Sequence, residues 1–377
     1  MRISSHFDSG AITVVEQTEY QGERRITLAL RGDNQSEFTQ WFHFRVQGGK
    51  DQHCEFVIAN AGSSTYPDGW PGYQVVASYD RHHWFRIATT SYDGTALRFS
   101  CTPKADSMYF AYFEPYDWER HLDFLGELAL CPGVRLLDAG RTIEGRDLNV
   151  VQIGEASAAK KKVWVIARQH PGESMAEWFC EGFLRRLTDG TDPDTTALLA
   201  NACIYVVPNM NPDGAVRGNL RTNAVGANLN REWMTPTVER SPEVLAIRTL
   251  MHQTGCDLFI DAHGDEALPY VFVDGCDMLP GRTDAQKRAE RRFVDAFLAA
   301  SADFQTEHGY APERFSDEIL TLASKYVGHH FGCIALTLEM PFKDNANLPN
   351  PETGFDGKRA MQLGHALVQA VRVTLSA

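Results

Sequence analysis

Four consecutive residues, His170-Pro171-Gly172-Glu173, carry the first sign of chemistry in this sequence. An imidazole and a carboxylate one helical turn apart can reach a single point in space. A catalytic zinc is held by such donors plus a third ligand, with one position left open. The same spacing also arises in ordinary helix starts, where an acidic residue favours the first turn. Two further residues weight the metal reading. His263 lies just past an apolar run, in Asp261-Ala262-His263-Gly264-Asp265, and would supply the third ligand. Glu339 ends the run Cys333-Ile334-Ala335-Leu336-Thr337-Leu338. A carboxylate at the end of a buried strand costs free energy unless it has a partner or a task, and general-base work beside a metal is such a task. Between the two histidines lies a long stretch dense in Asn, Gly and Arg, from Pro208 to Trp233. Long loops of this kind in compact domains are usually functional. Its Arg221 and Arg231 offer fork-shaped donors suited to a carboxylate or a polarised carbonyl, although either alone reads equally well as a surface ion pair.

The elements that must position these residues follow from periodicity. Residues 163–167 form an uninterrupted apolar run, predicted to be a buried strand, and residues 174–187 carry helical spacing. Pro171 and Gly172 are turn residues between them. A strand that turns sharply into a helix leaves its last side chains at the carboxyl edge of a sheet, where open α/β sheets bind ligands. From residue 116 onward strands and helices alternate, which predicts an α/β domain with a mixed sheet and helices on both faces. Residues 1–115 differ. Short β-branched or alternating runs recur between turn clusters such as Gly32-Asp33-Asn34 and Asp93-Gly94, with no helical segment, and predict an antiparallel β-sandwich. Residues 116–130 read as a joining helix capped by Asp117. The aromatic loop Asp68-Gly69-Trp70-Pro71-Gly72-Tyr73 either packs within the sandwich or rims a cleft.

Bulk properties narrow the function. A chain of 377 residues, 43% hydrophobic and 23% charged, suffices for about two domains with sizeable cores. The formal net charge of −13 argues against nucleic acid or an anionic membrane surface as a partner. The eight cysteines are scattered singly and form no disulfide framework. The first residues lack an apolar signal core and no run approaches a membrane span, so a reducing cytoplasmic location is expected.

Taken in order, His-Pro-Gly-Glu, Asn-Pro-Asp-Gly, Gly-Asn-x-Arg, Asn-Arg, His-Gly and Thr-Leu-Glu resemble the carboxypeptidase A-like zinc metallopeptidases, over residues 163–343. The N-terminal domain resembles the one that precedes the catalytic domain in the cytosolic carboxypeptidase branch. The resemblance implies one Zn²⁺ per chain on His170, Glu173 and His263. It implies Glu339 as the base that deprotonates the attacking water and later protonates the leaving amine. Arg221 would stabilise the oxyanion, and Asn230 with Arg231 would clasp the terminal carboxylate of a peptide or protein tail. The expected activity is hydrolysis of the C-terminal peptide bond.

Three departures from the family pattern matter. An Asp usual two residues before the Asn-Arg pair is Asn228 here, so the first zinc histidine loses a charged acceptor and weaker zinc is expected. An arginine that favours acidic C-terminal side chains is missing before the final strand. Lys325, with His329 or His330, would make a basic pocket for glutamate, or each would be a surface residue. The substrate-capping tyrosine of the digestive enzymes has two candidates, Tyr310 and Tyr326. Two rival readings stay open: a zinc amidase acting on cell-wall peptides or N-acyl amino acids, and a non-catalytic interaction protein. The residues do not determine the oligomeric state.

Overall fold

The computed structural model describes residues 1–20 and 23–376. Two five-stranded sheets come first. One orders Arg2–Ser4, His43–Gln47, Ser107–Ala111, Val76–Ser78 and Trp84–Arg86, all antiparallel. The other orders Thr13–Tyr20, Glu23–Ala29, Cys54–Ile58, Leu97–Cys101 and Ser91–Tyr92. Their inner faces meet through aromatic rings. Phe44 and Phe110 of the first sheet interleave with Phe56 and Phe99 of the second, with Phe56–Phe99 centroids 4.8 Å apart and Phe56–Phe110 centroids 5.1 Å apart. Such offset and tilted contacts are how aromatic cores pack. One pair breaks the expected antiparallel pattern: Glu23–Ala29 and Cys54–Ile58 run parallel. The reason is topological. The chain leaves Ala29, crosses to the other sheet for His43–Gln47 and re-enters from the same end.

Asp117 caps the joining helix Trp118–Ala129 by accepting from the Arg120 amide. A seven-stranded mixed sheet follows, ordered Val134–Arg141, Asp147–Ile153, Ala202–Val207, Lys161–Ala167, Leu258–Asp265, Ile334–Pro341 and Phe272–Asp274. Its four central strands are parallel and its outer pairs antiparallel. Side chains of Lys161–Ala167 alternate as a two-faced strand must. Val163, Val165 and Ala167 pack in one core with the helices Ser174–Leu187, Asp284–Ala300 and Gly357–Leu375. Trp164 and Ile166 pack in the other core, with Pro242–Thr254 and Ala323–Phe331. The helix carrying the His-Pro-Gly-Glu turn is held tightly: at Gly182 and Gly364 the backbone of the facing helix leaves no room for a Cβ.

Two helices escape the sequence reading. Pro212–Arg217 is a short helix inside the expected loop, capped by Asn211 and ended by left-handed Gly218. Ala323–Phe331 is a helix in the stretch before the last strand, which the sequence pattern assigns to no element. Each spans three turns or fewer, too short for apolar periodicity to stand out. Among the described residues no helix is long and apolar enough to cross a membrane.

Candidate metal centre

Strand register brings the distant residues together. Ala167 pairs with Ala262 across parallel strands, so His170 and His263 both emerge at the carboxyl edge. Glu339 is directly opposite His263 on the next strand. The turn between Ala167 and the following helix is built by Arg168, buried and in the left-handed region at φ 58°. Such a conformation is costly for a long side chain unless its surroundings hold it. Here the guanidinium donates to Pro171 O at 2.9 Å, to Tyr116 O at 2.7 Å and to Glu177 Oε2 at 2.6 Å. Gly172 completes the turn by donating to Leu220 O at 2.8 Å, and a Cβ there would come within 3.0 Å of that oxygen.

Among the described residues, His170, Glu173 and His263 form the one cluster able to hold a metal, with ligand atoms within 4.8 Å of one another. All three are buried. The two Nδ1 atoms lie 3.2 Å apart, and Glu173 reaches them with Oε1 at 2.7 Å and Oε2 at 2.8 Å. The outer nitrogens decide the tautomers. His170 Nε2 faces Asn228 Oδ1 at 3.1 Å, and His263 Nε2 faces Asp261 Oδ2 at 2.8 Å. Both outer oxygens are acceptors, so each Nε2 carries hydrogen and donates outward. Each Nδ1 then turns a lone pair inward. Two imidazole lone pairs and a carboxylate aimed at one point are a cation's donor set, and two nitrogens with one carboxylate suit zinc.

The electrostatics favour a positive charge at this point: burial alone would lower His263, but the Asp261 and Glu173 carboxylates outweigh it and raise the imidazole well above its usual range. Burial, reinforced by Arg221, pushes His170 down to about 3, so it is neutral and ready to ligate. Burial alone would raise Glu173, but the two imidazoles outweigh it and hold the carboxyl well below its usual range. Burial of Glu339, together with the nearby Glu173 and Asp265 carboxylates, lifts it well above the usual range despite His263. Its Oε2 has no hydrogen-bond partner among the described residues.

These groups line one cavity of about 270 Å³ that also holds Tyr66, Arg221, Asn230, Arg231, Tyr310 and Lys325. The Arg221 guanidinium lies 5.5 Å from the Tyr66 ring centroid and 5.6 Å from that of Phe38. Asn230 Oδ1 accepts from the Ala323 amide at 2.8 Å, and Arg231 donates to Asn230 O at 2.7 Å. Lys325 is buried, with Nζ on Asp274 Oδ2 at 2.5 Å and Glu313 4.0 Å away. His330 is not brought to the cavity. It stands exposed, stacked on Tyr326 at 5.6 Å and edge-on to His252 at 4.3 Å. Five positions along a helix turn a side chain through roughly 140°, so Lys325 and His330 take different faces. Of the two tyrosines, Tyr310 lines the cavity and donates to Asp265 Oδ2 at 2.7 Å, whereas Tyr326 pairs with His252 Nε2 at 2.9 Å outside it. The sequence reading passed over Asp261, although period-two alternation puts it on the same strand face as His263. It also passed over Tyr66 and Phe38, which belong to the N-terminal domain and carried no local signal.

Comparisons with known proteins identify the family. Residues 122–358 match the zinc carboxypeptidase family, and residues 3–113 match the cytosolic carboxypeptidase N-terminal domain. The chain belongs to the zinc carboxypeptidase family, whose members are peptide hydrolases. Its structure resembles the metallo-carboxypeptidase from Burkholderia cenocepacia, with TM-score 0.96 and 52% identity over 100% of this chain and 99% of that one. It likewise resembles a metallo-carboxypeptidase from Pseudomonas aeruginosa, with TM-score 0.95 and 44% identity over 100% and 99% of the two chains. Human cytosolic carboxypeptidase 2 is 30% identical over 307 residues, covering 72% of this chain but only 34% of the human protein.

Proposed function

We propose that this chain removes the C-terminal residue from peptides or protein tails, with one zinc ion on His170, Glu173 and His263. When bound there, zinc supplies Lewis-acid chemistry, polarising the scissile carbonyl and acidifying water. The remaining work falls to the protein. Glu339, buried opposite His263 and with one oxygen unpartnered among the described residues, takes the proton from the attacking water and returns it to the leaving amine. Arg221 answers the negative charge that develops on the carbonyl oxygen. Arg231 and Asn230 bind the terminal carboxylate, which confines cleavage to chain ends. The observation that carries this reading is the meeting of His170, Glu173, His263 and Glu339 with two arginines in one cavity. It is also supported by the Pseudomonas aeruginosa relative, whose structure is a complex with (2-guanidinoethylmercapto)succinic acid, a compound bearing carboxylates.

The side-chain preference turns on Lys325. Its ammonium is already answered by Asp274, with Glu313 near, so this end of the cavity has no net positive charge. A C-terminal glutamate fits only by displacing Asp274 from Lys325. A neutral side chain needs no such exchange.

Peptides ending in each amino acid, with and without C-terminal amidation, test the proposal when the zinc-loaded protein is incubated with them and the products are weighed by mass spectrometry. Single-residue release from free C-termini is expected, faster for neutral residues than for glutamate, with none from amidated chains. Glu339→Gln should lower kcat by roughly 10²–10⁴-fold while zinc content is retained. Internal cleavage, or full activity in that variant, would overturn the proposal.

A further inference from the structure

The loop that carries Arg221 is gripped by a residue 188 positions earlier in the chain. Asp33 is buried and its carboxylate meets three consecutive backbone amides. Oδ1 accepts from Leu220 at 2.6 Å. Oδ2 accepts from Arg221 at 2.8 Å, from Thr222 at 2.9 Å and from the Thr222 hydroxyl at 3.1 Å. A carboxylate that receives successive amides fixes the backbone dihedrals between them, and with these the direction of the Arg221 Cα–Cβ bond. Its neighbours extend the grip. Asn34 Nδ2 donates to Ala224 O at 2.5 Å, and Asn219 Nδ2 donates to Asn34 Oδ1 at 2.5 Å. Gly226, at φ +77°, packs so closely on Gln35 O that no Cβ fits.

The other end of Arg221 is placed by the same domain. The Asp33 amide donates to Phe38 O at 2.8 Å, closing a loop that sets the Phe38 ring beside the guanidinium. Gln40 pins the Tyr66 backbone at both ends, with Oε1 accepting from the Tyr66 amide at 2.8 Å and Nε2 donating to Tyr66 O at 3.0 Å, and the Tyr66 ring flanks the guanidinium as well. Rings at this distance attract a cation without using its hydrogen-bond donors. Among the described residues, the Arg221 side chain makes no hydrogen bond and no ion pair. Its donors therefore stay available while its position is set from outside the catalytic domain.

We infer that Asp33 is a positioning residue for Arg221, so that the N-terminal domain supplies part of the catalytic machinery rather than a separate module. This rests on the proposed role of Arg221 at the developing oxyanion. Losing the carboxylate lets the Arg221 backbone shift, and a displacement of about 1 Å at a group that acts on the transition state costs roughly 100-fold in rate.

The test is a double-mutant cycle on a hydrolysed peptide at saturating zinc, using Asp33→Asn, Arg221→Ala and the double variant. In Asp33→Asn the amide nitrogen replaces one acceptor oxygen and turns donors toward donors. The expected result is a kcat lower by about 30–100-fold, a KM within about threefold, and unchanged zinc content. In the Arg221→Ala background the same change should have no further effect, because Asp33 acts through Arg221. Thr222→Val deletes only the hydroxyl bond. It should lower kcat by about 3–10-fold, again only when Arg221 is present, and it serves if Asp33→Asn fails to fold. A folded Asp33→Asn protein with wild-type kcat beside an impaired Arg221→Ala protein overturns this inference alone. So does an equal loss in both backgrounds, or a silent Thr222→Val. An unimpaired Arg221→Ala protein would instead overturn the role proposed for Arg221.

Discussion

Replacing Asn228 by Asp should tighten zinc. In the structure, Asn228 Oδ1 faces His170 Nε2 at 3.1 Å, while the equivalent partner of His263 is a charged carboxylate, Asp261, at 2.8 Å. The two imidazoles are thus supported unequally. An aspartate at 228 would place a negative charge roughly 7 Å from the metal position, which is the 3.1 Å contact, the span of one imidazole ring and a Zn–N bond of about 2 Å in sequence. At an effective dielectric of about 20, that charge contributes about 2.4 kcal/mol against the net single positive charge that Zn²⁺ and the Glu173 carboxylate leave together. Position 228 is half-buried, and burying the new carboxylate takes back about 1 kcal/mol. The remainder, about 1.4 kcal/mol, is roughly a tenfold gain in affinity. It sits at the lower end of the 10–100-fold effects typical of such outer partners. Protons do not compete for the His170 nitrogen at neutral pH, because burial, reinforced by Arg221, holds it down at about 3. The assay is competition for zinc against a chromophoric chelator at pH 7.5, with fold checked by circular dichroism. An unchanged or weaker zinc affinity in a folded Asn228→Asp protein would refute the reasoning that the outer acceptor's charge controls this ligand.

Two other outcomes follow from buried groups. Glu243 is fully buried and its carboxyl is pushed up to about 7, chiefly by burial, with Oε1 unpartnered among the described residues. Above about pH 4.5 the unfolded chain gives up this proton while the folded chain keeps it. Stability therefore falls as pH rises from about 4.5 to about 7, by up to about 3 kcal/mol, and levels off beyond. Glu243→Gln should remove that decline, matching wild type near pH 4.5 and exceeding it at pH 8. Parallel denaturation curves for the two proteins at both pH values would contradict this. Chelating the metal should lower stability, since Glu173 and two imidazoles then face one another without the cation. At free zinc a thousandfold above Kd, the difference is about 4 kcal/mol, and a calorimetric transition indifferent to chelator would count against the site.

Much of the metal centre is legible in the sequence because its signals are local. A buried apolar run, a Pro-Gly turn and a helical run define where a strand ends and which way its last side chains point. His170, Glu173 and His263 follow from that logic, and so does Glu339 at the close of its own apolar run. Even Asp261 was within reach, two residues from His263 on the same strand face.

What only the tertiary structure decides lies between segments far apart in the chain. The grip of Asp33 on Leu220, Arg221 and Thr222 spans 187 to 189 positions and leaves no periodic trace in either segment. The pairing that neutralises Lys325 needs Asp274 from an edge strand. The exclusion of His330 from the cavity needs a helix too short to announce itself. Sequence patterns report the geometry of a few residues along the backbone. The partners a side chain meets, and hence its charge state and its role, are set by packing between elements.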